Sequence, residues 1–346
     1  MQGNFYAALL KEMAKMAEHF KGKRFDTVYF GGGTPSLVSE GDLLNICGAL
    51  SDHFQFTDDT EVTIEANPGD ITPAKARAWK KMGVTRVSLG AQSFQDATLK
   101  RINRTHTADD IVSSFQMLKD ADLSNINADL ILSLPGEGFR ELESSLSRAV
   151  KLGPTHVSLY ELTIEEKTVF GTEFKSGALK LPDEDSQIKM LLYARKYLKD
   201  DGFEHYELLN FARKGYQSRH NLLYWANEEY LGLGPGAFSF WGGRRYQYAS
   251  SVDEYLEKIS REDFTAAEEE TLTPEKREVE SLLLALRRLE GADIHNFTSV
   301  FKRLEKEIAG LESQNLLSRT KGRLHLTDRG QLLAETVFTE LSSPNI

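Results

Sequence analysis

The sequence predicts an α/β fold on a parallel sheet, curled into a barrel or partial barrel. Five short runs rich in β-branched and aromatic residues alternate with amphipathic helical stretches, and every connection is long enough for a crossover. The runs are mostly continuously apolar, as strands covered on both faces are. A polar or glycine-rich group closes each one: residues 31–34, Glu65, Gln92, Asp129 and Glu161. A doubly wound sheet gathers such groups only at a switch point, whereas a parallel barrel gathers every strand end at one mouth.

Residues 4–20 show apolar side chains at helical spacing and precede a strand at 27–30. Ser39, with Asp42 three residues on, opens a helix over 40–53. TIEA (63–66) is a strand stopped by Asn67-Pro68; Pro73 starts the next helix and Gly83 caps it. RVSLG (86–90) leads through Gln92-Ser93-Phe94 into a helix from 95. Thr107 caps a helix ending at Asp120, and INADLILSL (126–134) is a strand halted by Pro135-Gly136. A helix over 139–151 ends at Gly153-Pro154, before the strand HVSLYEL (156–162).

Past Tyr160 the texture changes. Pro182 and Asp183 open a long helix to Asp200, and FEHYELLNFA (203–212) reads as an edge strand. Residues 218–241 are dense in aromatics and glycines. Residues 261–273 are acidic and polar, and read as a linker. Amphipathic helices over 274–290 and 297–314, then a hairpin around Lys321-Gly322, resemble a winged-helix module without a strongly basic recognition helix.

Composition narrows the function. A chain of 346 residues accommodates one large domain and a smaller one. The net charge of −10 argues against a nucleic-acid backbone as main partner. No apolar run approaches the ~20 residues that span a bilayer, and the N-terminus is no secretory signal, so the expected location is the cytoplasm. Cys47, in the apolar helical pattern LLNICGAL, is the single cysteine, and iron–sulfur clusters usually need several thiolates. The histidines lack zinc-site spacing.

TVYFGGGTPS (27–36) is the most informative stretch. Three glycines leave bare backbone amides where a strand ends, which suits either a plain turn or close approach of a small zwitterionic ligand. Neither the dinucleotide fingerprint nor the P-loop lysine is present. Asp129 lies within INADLIL, where a carboxylate is costly to bury. It serves either as a structural cap or as acceptor for a ligand hydroxyl or amine, and Glu65 is similar. His220 and Tyr224 are four apart and share a helix face, as core packing or as a ligand site.

YFGGGTPS, VTIEANP, RVSLGAQSF, LKRINRTH, NADLILSLPGE, SLYELTIE and RHNLLYW, in this order, resemble the coproporphyrinogen-oxidase-like branch of the radical SAM superfamily over nearly the whole chain. The HNxxYW pattern at 220–225 looks like the HemW-type heme-chaperone family. The resemblance implies a partial (β/α)6 TIM-like barrel over 1–180, a barrel extension with the HNxxYW segment over 181–262, and a helical HemN C-terminal-like domain over 263–346. It also implies an S-adenosylmethionine (SAM) site. Gly32, Gly33 and Thr34 would hold the amino end, Arg104 the methionyl carboxylate, and Glu65, Gln92 and Asp129 the rest.

Heme would meet His220 and Tyr224, with Arg219, Arg244 and Arg245 toward its propionates. The implied partners are heme, heme-acceptor proteins of the respiratory chain and a second copy of the chain. The family's CxxxCxxC loop for a [4Fe-4S] cluster is not in this sequence, nor is the first barrel strand, so either the start lies upstream or the relative is degenerate. The competing readings are oxygen-independent oxidation of coproporphyrinogen III, in porphyrin biosynthesis, and an inactive barrel that serves as a docking scaffold.

Overall fold

The computed structural model describes residues 2–342, so the outermost residues of the segments expected at 1–180 and 263–346 lie outside the described residues. The chain divides into two compact units. One comprises Met1–Val28, Ser39–Thr60 and Ser218–Ile346; the other comprises Tyr29–Val38 and Glu61–Gln217.

Seven strands form one open sheet: β1 (Arg24–Phe30), β2 (Gln55–Ala66), β3 (Arg86–Gln92), β4 (Ile126–Leu132), β5 (His156–Glu161), β6 (Glu204–Glu207) and β7 (Asn210–Ala212), in the order β1-β2-β3-β4-β5-β7-β6. β2, β3, β4 and β5 pair in parallel, as the crossovers require. The result is the expected α/β partial barrel, with β1 and β6 at its edges. One detail differs. The single edge strand expected at 203–212 is an antiparallel hairpin, β7 lying against β5 and β6 outermost. The register slips between His205 and Glu207, which leaves both strands short.

The crossover helices start where their caps predict. Thr72 accepts from the Lys75 amide ahead of Pro73–Lys81, Thr107 and Asp110 form a reciprocal capping box on Ala108–Asp120, and Glu141 reaches back to Gly138 at the start of Phe139–Lys151. Their apolar faces close over the sheet: Trp79, Ile111, Phe115, Leu118, Leu142 and Leu146 are buried with Ile64, Val87, Leu89, Ile126 and Leu130.

In the other unit the acidic stretch is more than a linker. Glu268–Thr271 is a strand paired antiparallel with Arg244–Gln247, because Arg244 grips Glu269 through two nitrogens (2.8 and 2.6 Å) and Gln247 holds Glu268 (2.9 Å). The C-terminal part is helical around a three-stranded sheet, with strands Ala292–Asp293, Leu317–Thr320 and Arg323–Leu326. The amphipathic stretch expected at 297–314 breaks at Leu304 into Thr298–Arg303 and Glu305–Ser313.

Helix Gln2–His19 of this unit buries a carboxylate. Oε2 of Glu12 accepts from the Tyr255 hydroxyl (2.7 Å) and the Gly234 amide (2.9 Å), while Oε1 is buried without a partner. Burial pushes the Glu12 carboxyl up, and the two hydrogen bonds only partly oppose it. A raised acid stabilises the fold fully below its unfolded pKa of 4.5, and that contribution is lost as pH rises through the folded value. Relative to Glu12→Gln, which does not ionise, the wild type is therefore expected to lose stability as pH rises above 4.5, by about 1.4 kcal/mol per unit of pKa difference. Urea midpoints of both proteins across that range check this; parallel curves would contradict it.

Candidate functional site

Strand ends in the second unit enclose a cavity of about 380 Å³, within the ~300–1,000 Å³ usual for small-molecule sites. It is lined by Gly33, Thr34, Glu65, Asn67, Ser88, Gly90, Gln92, Arg104, Asp129, Ile131 and Tyr160, among others. Strand register explains the grouping. Glu65 lies opposite Ser88, Ser88 opposite Asn127, Asp129 opposite Ser158, and Ile131 opposite Tyr160, so alternate residues of four parallel strands face one side.

The glycine turn forms one wall. Gly32 has φ +96°, a conformation that favours glycine. A Cβ on Gly31 would lie 2.8 Å from the Tyr29 ring and 3.1 Å from Oε1 of Glu65. That carboxylate oxygen accepts from the Tyr29 hydroxyl at 2.8 Å, so the turn and Glu65 fit closely. The turn's exit is fastened by buried Ser36, which donates to Asp70 (2.7 Å) and accepts from the Asn67 amide (3.2 Å), while Lys75 donates to the Ser36 carbonyl (2.7 Å).

β3 forms the floor and carries a register shift between Leu89 and Gln92. Gln92 sits there at φ 64°, and a Cβ on Gly90 would come within 3.0 Å of its amide nitrogen. The bulge turns Gln92 toward the cavity. Arg104 donates toward Oδ1 of Asn67 at 3.5 Å; burial pulls its guanidinium below the ordinary value, and Asp129 opposes that shift. Asp129 is shifted upward by burial, against the hydrogen bonds from Asn127 and Ser88. The Tyr29 and Tyr160 hydroxyls are both pushed up, mainly by burial.

Of the seven residues expected for SAM, Gly33, Thr34, Glu65, Gln92, Arg104 and Asp129 line this one cavity, and Gly32 is the adjoining turn residue. Tyr160 replaces Glu161 as the strand-end group of β5: pairing of Ile131 with Tyr160 puts Tyr160 on the cavity face and Glu161 on the other. Sequence reasoning missed Ser88 and Tyr160, because each reaches the cavity through its pairing with a neighbouring strand, Ser88 with Asn127 and Tyr160 with Ile131.

His220 and Tyr224 lie on Arg219–Trp225 in the other unit, a helix started by Ser218, whose side chain accepts from the Asn221 amide. Both are half-buried. Nδ1 of His220 is 2.8 Å from the Thr27 hydroxyl, and its ring meets Tyr224 edge-on at 5.0 Å. Tyr224 packs on Tyr230 at 4.6 Å, and burial lifts its hydroxyl to about 12. The arginines expected to face propionates are engaged within the chain: Arg219 with Asp59, Arg244 with Glu269 and Arg245 with Glu280.

Cys47, on helix Glu40–His53, is half-buried and its thiol is raised by burial. A lone cysteine does not fit a [4Fe-4S] cluster, which usually takes several thiolates. Among the described residues, no helix is long and apolar enough to cross a membrane.

Residues 1–149 match the family described as the radical SAM superfamily, and residues 272–333 match the HemN C-terminal domain. The chain is 36% identical over 343 residues to heme chaperone HemW of Lactococcus lactis, covering 98% of this chain and 90% of that protein. It is 33% identical over 318 residues to heme chaperone HemW of Bacillus subtilis, covering 90% and 84%. Among solved structures, coproporphyrinogen III oxidase HemN of Escherichia coli, reported as a radical SAM enzyme, superposes with a TM-score of 0.86 over 98% of this chain and 82% of that one. At 20% identity that likeness is one of fold. With relatives 33–36% identical over 90–98% of this chain and 84–90% of their own length, this chain belongs to the HemW family of the radical SAM superfamily.

Proposed function

We propose that this chain is a heme chaperone, which binds heme and hands it to acceptor proteins of the respiratory chain, on a scaffold that also binds SAM. The observation that carries the reading is the near full-length likeness to proteins named heme chaperone HemW. Heme is cargo here, and His220 with Tyr224 is the segment we assign to it. A His–Tyr pair on one face of a half-buried helix offers an imidazole ligand and an aromatic wall to a flat macrocycle. The proposed division of labour follows the segments 1–180 (barrel), 181–262 (extension with the heme segment) and 263–346 (C-terminal domain).

In the cavity, the turn at Gly32, Gly33 and Thr34 takes the amino end of SAM, Arg104 pairs with its carboxylate, and Glu65, Gln92 and Asp129 accept from or donate to its remaining polar groups. The donor set fits the ligand: one guanidinium for the single carboxylate, and carboxylates and open backbone for the ammonium and hydroxyls. When bound, SAM supplies an activated carbon–sulfur bond. This chain's residues bind and orient it, and no cleavage step follows from them.

The heme assignment is tested by titrating heme into wild type and His220→Ala. Wild type is expected to show a shifted Soret band at one heme per chain, and His220→Ala a different band and roughly tenfold weaker binding, an axial bond being worth at least as much as the ~1.4 kcal/mol that sets a factor of ten. Identical spectra and affinities would remove His220 from the site.

A further inference from the structure

Behind Asp129 the second unit holds a continuous file of buried polar side chains. The Tyr206 hydroxyl is 2.8 Å from Nε2 of His156, and Nδ1 of His156 is 2.7 Å from Oδ1 of Asn127. Nδ2 of Asn127 donates to Oδ1 of Asp129 (2.8 Å) and to Oγ of Ser88 (2.8 Å). Ser88 in turn donates to Oδ2 of Asp129 (3.1 Å), and Ser158 donates to Oδ1 of Asn127 (3.2 Å). His156 is fully buried and Asn127 is 2% exposed, so water does not substitute for these partners.

The chemistry fixes the direction of the bonds from Tyr206 to Asp129. Asn127 must turn its NH2 toward Asp129, because its carbonyl there would face a carboxylate oxygen. Its oxygen then accepts from His156, which places the imidazole proton on Nδ1. Nε2 is left as an acceptor for the tyrosine hydroxyl, and burial holds the ring neutral by lowering its pKa well below the ordinary value. The donors therefore run one way, from Tyr206 through His156 and Asn127 to Asp129. Both oxygens of Asp129 end as acceptors, with Ser88 and Asn127 behind them and the cavity in front.

We infer that Asn127, backed by His156, is a positioning residue for ligand binding: it holds Asp129 as an oriented acceptor, so that the cavity selects a ligand group that donates two hydrogen bonds, such as a vicinal diol. Neither Asn127 nor His156 lines the cavity. This rests on the reading of the cavity as a SAM site. The charged and titratable groups acting on Asp129 are Arg86, Arg104, Tyr29 and Tyr160, all unchanged in the variants below.

The test combines NMR of full-length protein carrying 15N-histidine and 13C-aspartate with SAM calorimetry. In wild type, His156 is expected to stay neutral with its proton on Nδ1 from pH 5 to 8. In Asn127→Leu, the Asp129 carboxyl midpoint is expected to move up by about one unit and the SAM Kd to rise about tenfold. His156→Gln gives a smaller change in the same direction. In an Asp129→Asn background, Asn127→Leu is expected to change affinity less than twofold.

An Nε2–H tautomer in wild type, or an Asp129 midpoint unmoved in Asn127→Leu, overturns the inference whatever SAM does. A moved midpoint with unchanged SAM affinity also overturns it. Wild type that fails to bind SAM, with the midpoint shift present, overturns the ligand assignment and leaves the positioning of Asp129 standing.

Discussion

Asp129→Ala is expected to weaken SAM binding by roughly 10- to 100-fold, the largest loss of any single cavity residue. The carboxylate contributes an acceptor to the ligand, and hydrogen bonds to a charged group are worth about 1.5–3 kcal/mol. Truncation also strips Asn127 and Ser88 of their common acceptor (2.8 and 3.1 Å), and Asn127, 2% exposed and away from the cavity lining, loses that partner without gaining water. Asp129→Asn keeps the shape and an oxygen for the Asn127 NH2, but it removes the charge and turns one acceptor into a donor, and is expected to lose about as much. Isothermal titration calorimetry on folded protein measures this. An unchanged affinity in Asp129→Ala would mean that the carboxylate serves the fold alone.

Trp79→Ala is expected to cost about 3–5 kcal/mol of stability, the range for truncating a large buried aromatic. Trp79 is 2% exposed on Pro73–Lys81, the crossover helix between β2 and β3, and its carbonyl accepts from the Val84 amide as the chain turns back into the sheet. Its indole is absent from the cavity lining. Folded Trp79→Ala is therefore expected to bind SAM within a factor of two of wild type, whereas its urea midpoint falls sharply. A stability loss below ~1 kcal/mol would show that the helix does not depend on this side chain.

The two variants separate what the sequence makes legible from what only packing reveals. The existence and order of β1 to β5 were readable, because continuous apolar runs alternate with well-capped helices and glycines or prolines mark the ends. Most of the cavity was readable too: buried carboxylates in strands are costly, so Glu65 and Asp129 declare themselves. The bulge at Gln92 and the choice of Tyr160 over Glu161 were not, since both depend on inter-strand register, which composition does not encode. The strand at 268–271 was hidden for a different reason. Three successive glutamates, which stay exposed, carry no strand signal of their own, and only Arg244 and Gln247 across from them pair the segment into a sheet. Arg219, Arg244 and Arg245 looked available for anionic ligands until their acidic partners, distant in sequence, were in place.

The central claim is that this chain carries heme as cargo, and transfer measures that most directly. Protein loaded with one equivalent of heme is mixed with apomyoglobin, and the Soret band is followed over time. The account predicts one heme bound per chain, then passage of that heme to the acceptor until the myoglobin spectrum is complete. A protein that shows no Soret change on heme addition, or that keeps its heme in the presence of excess apomyoglobin, would contradict it.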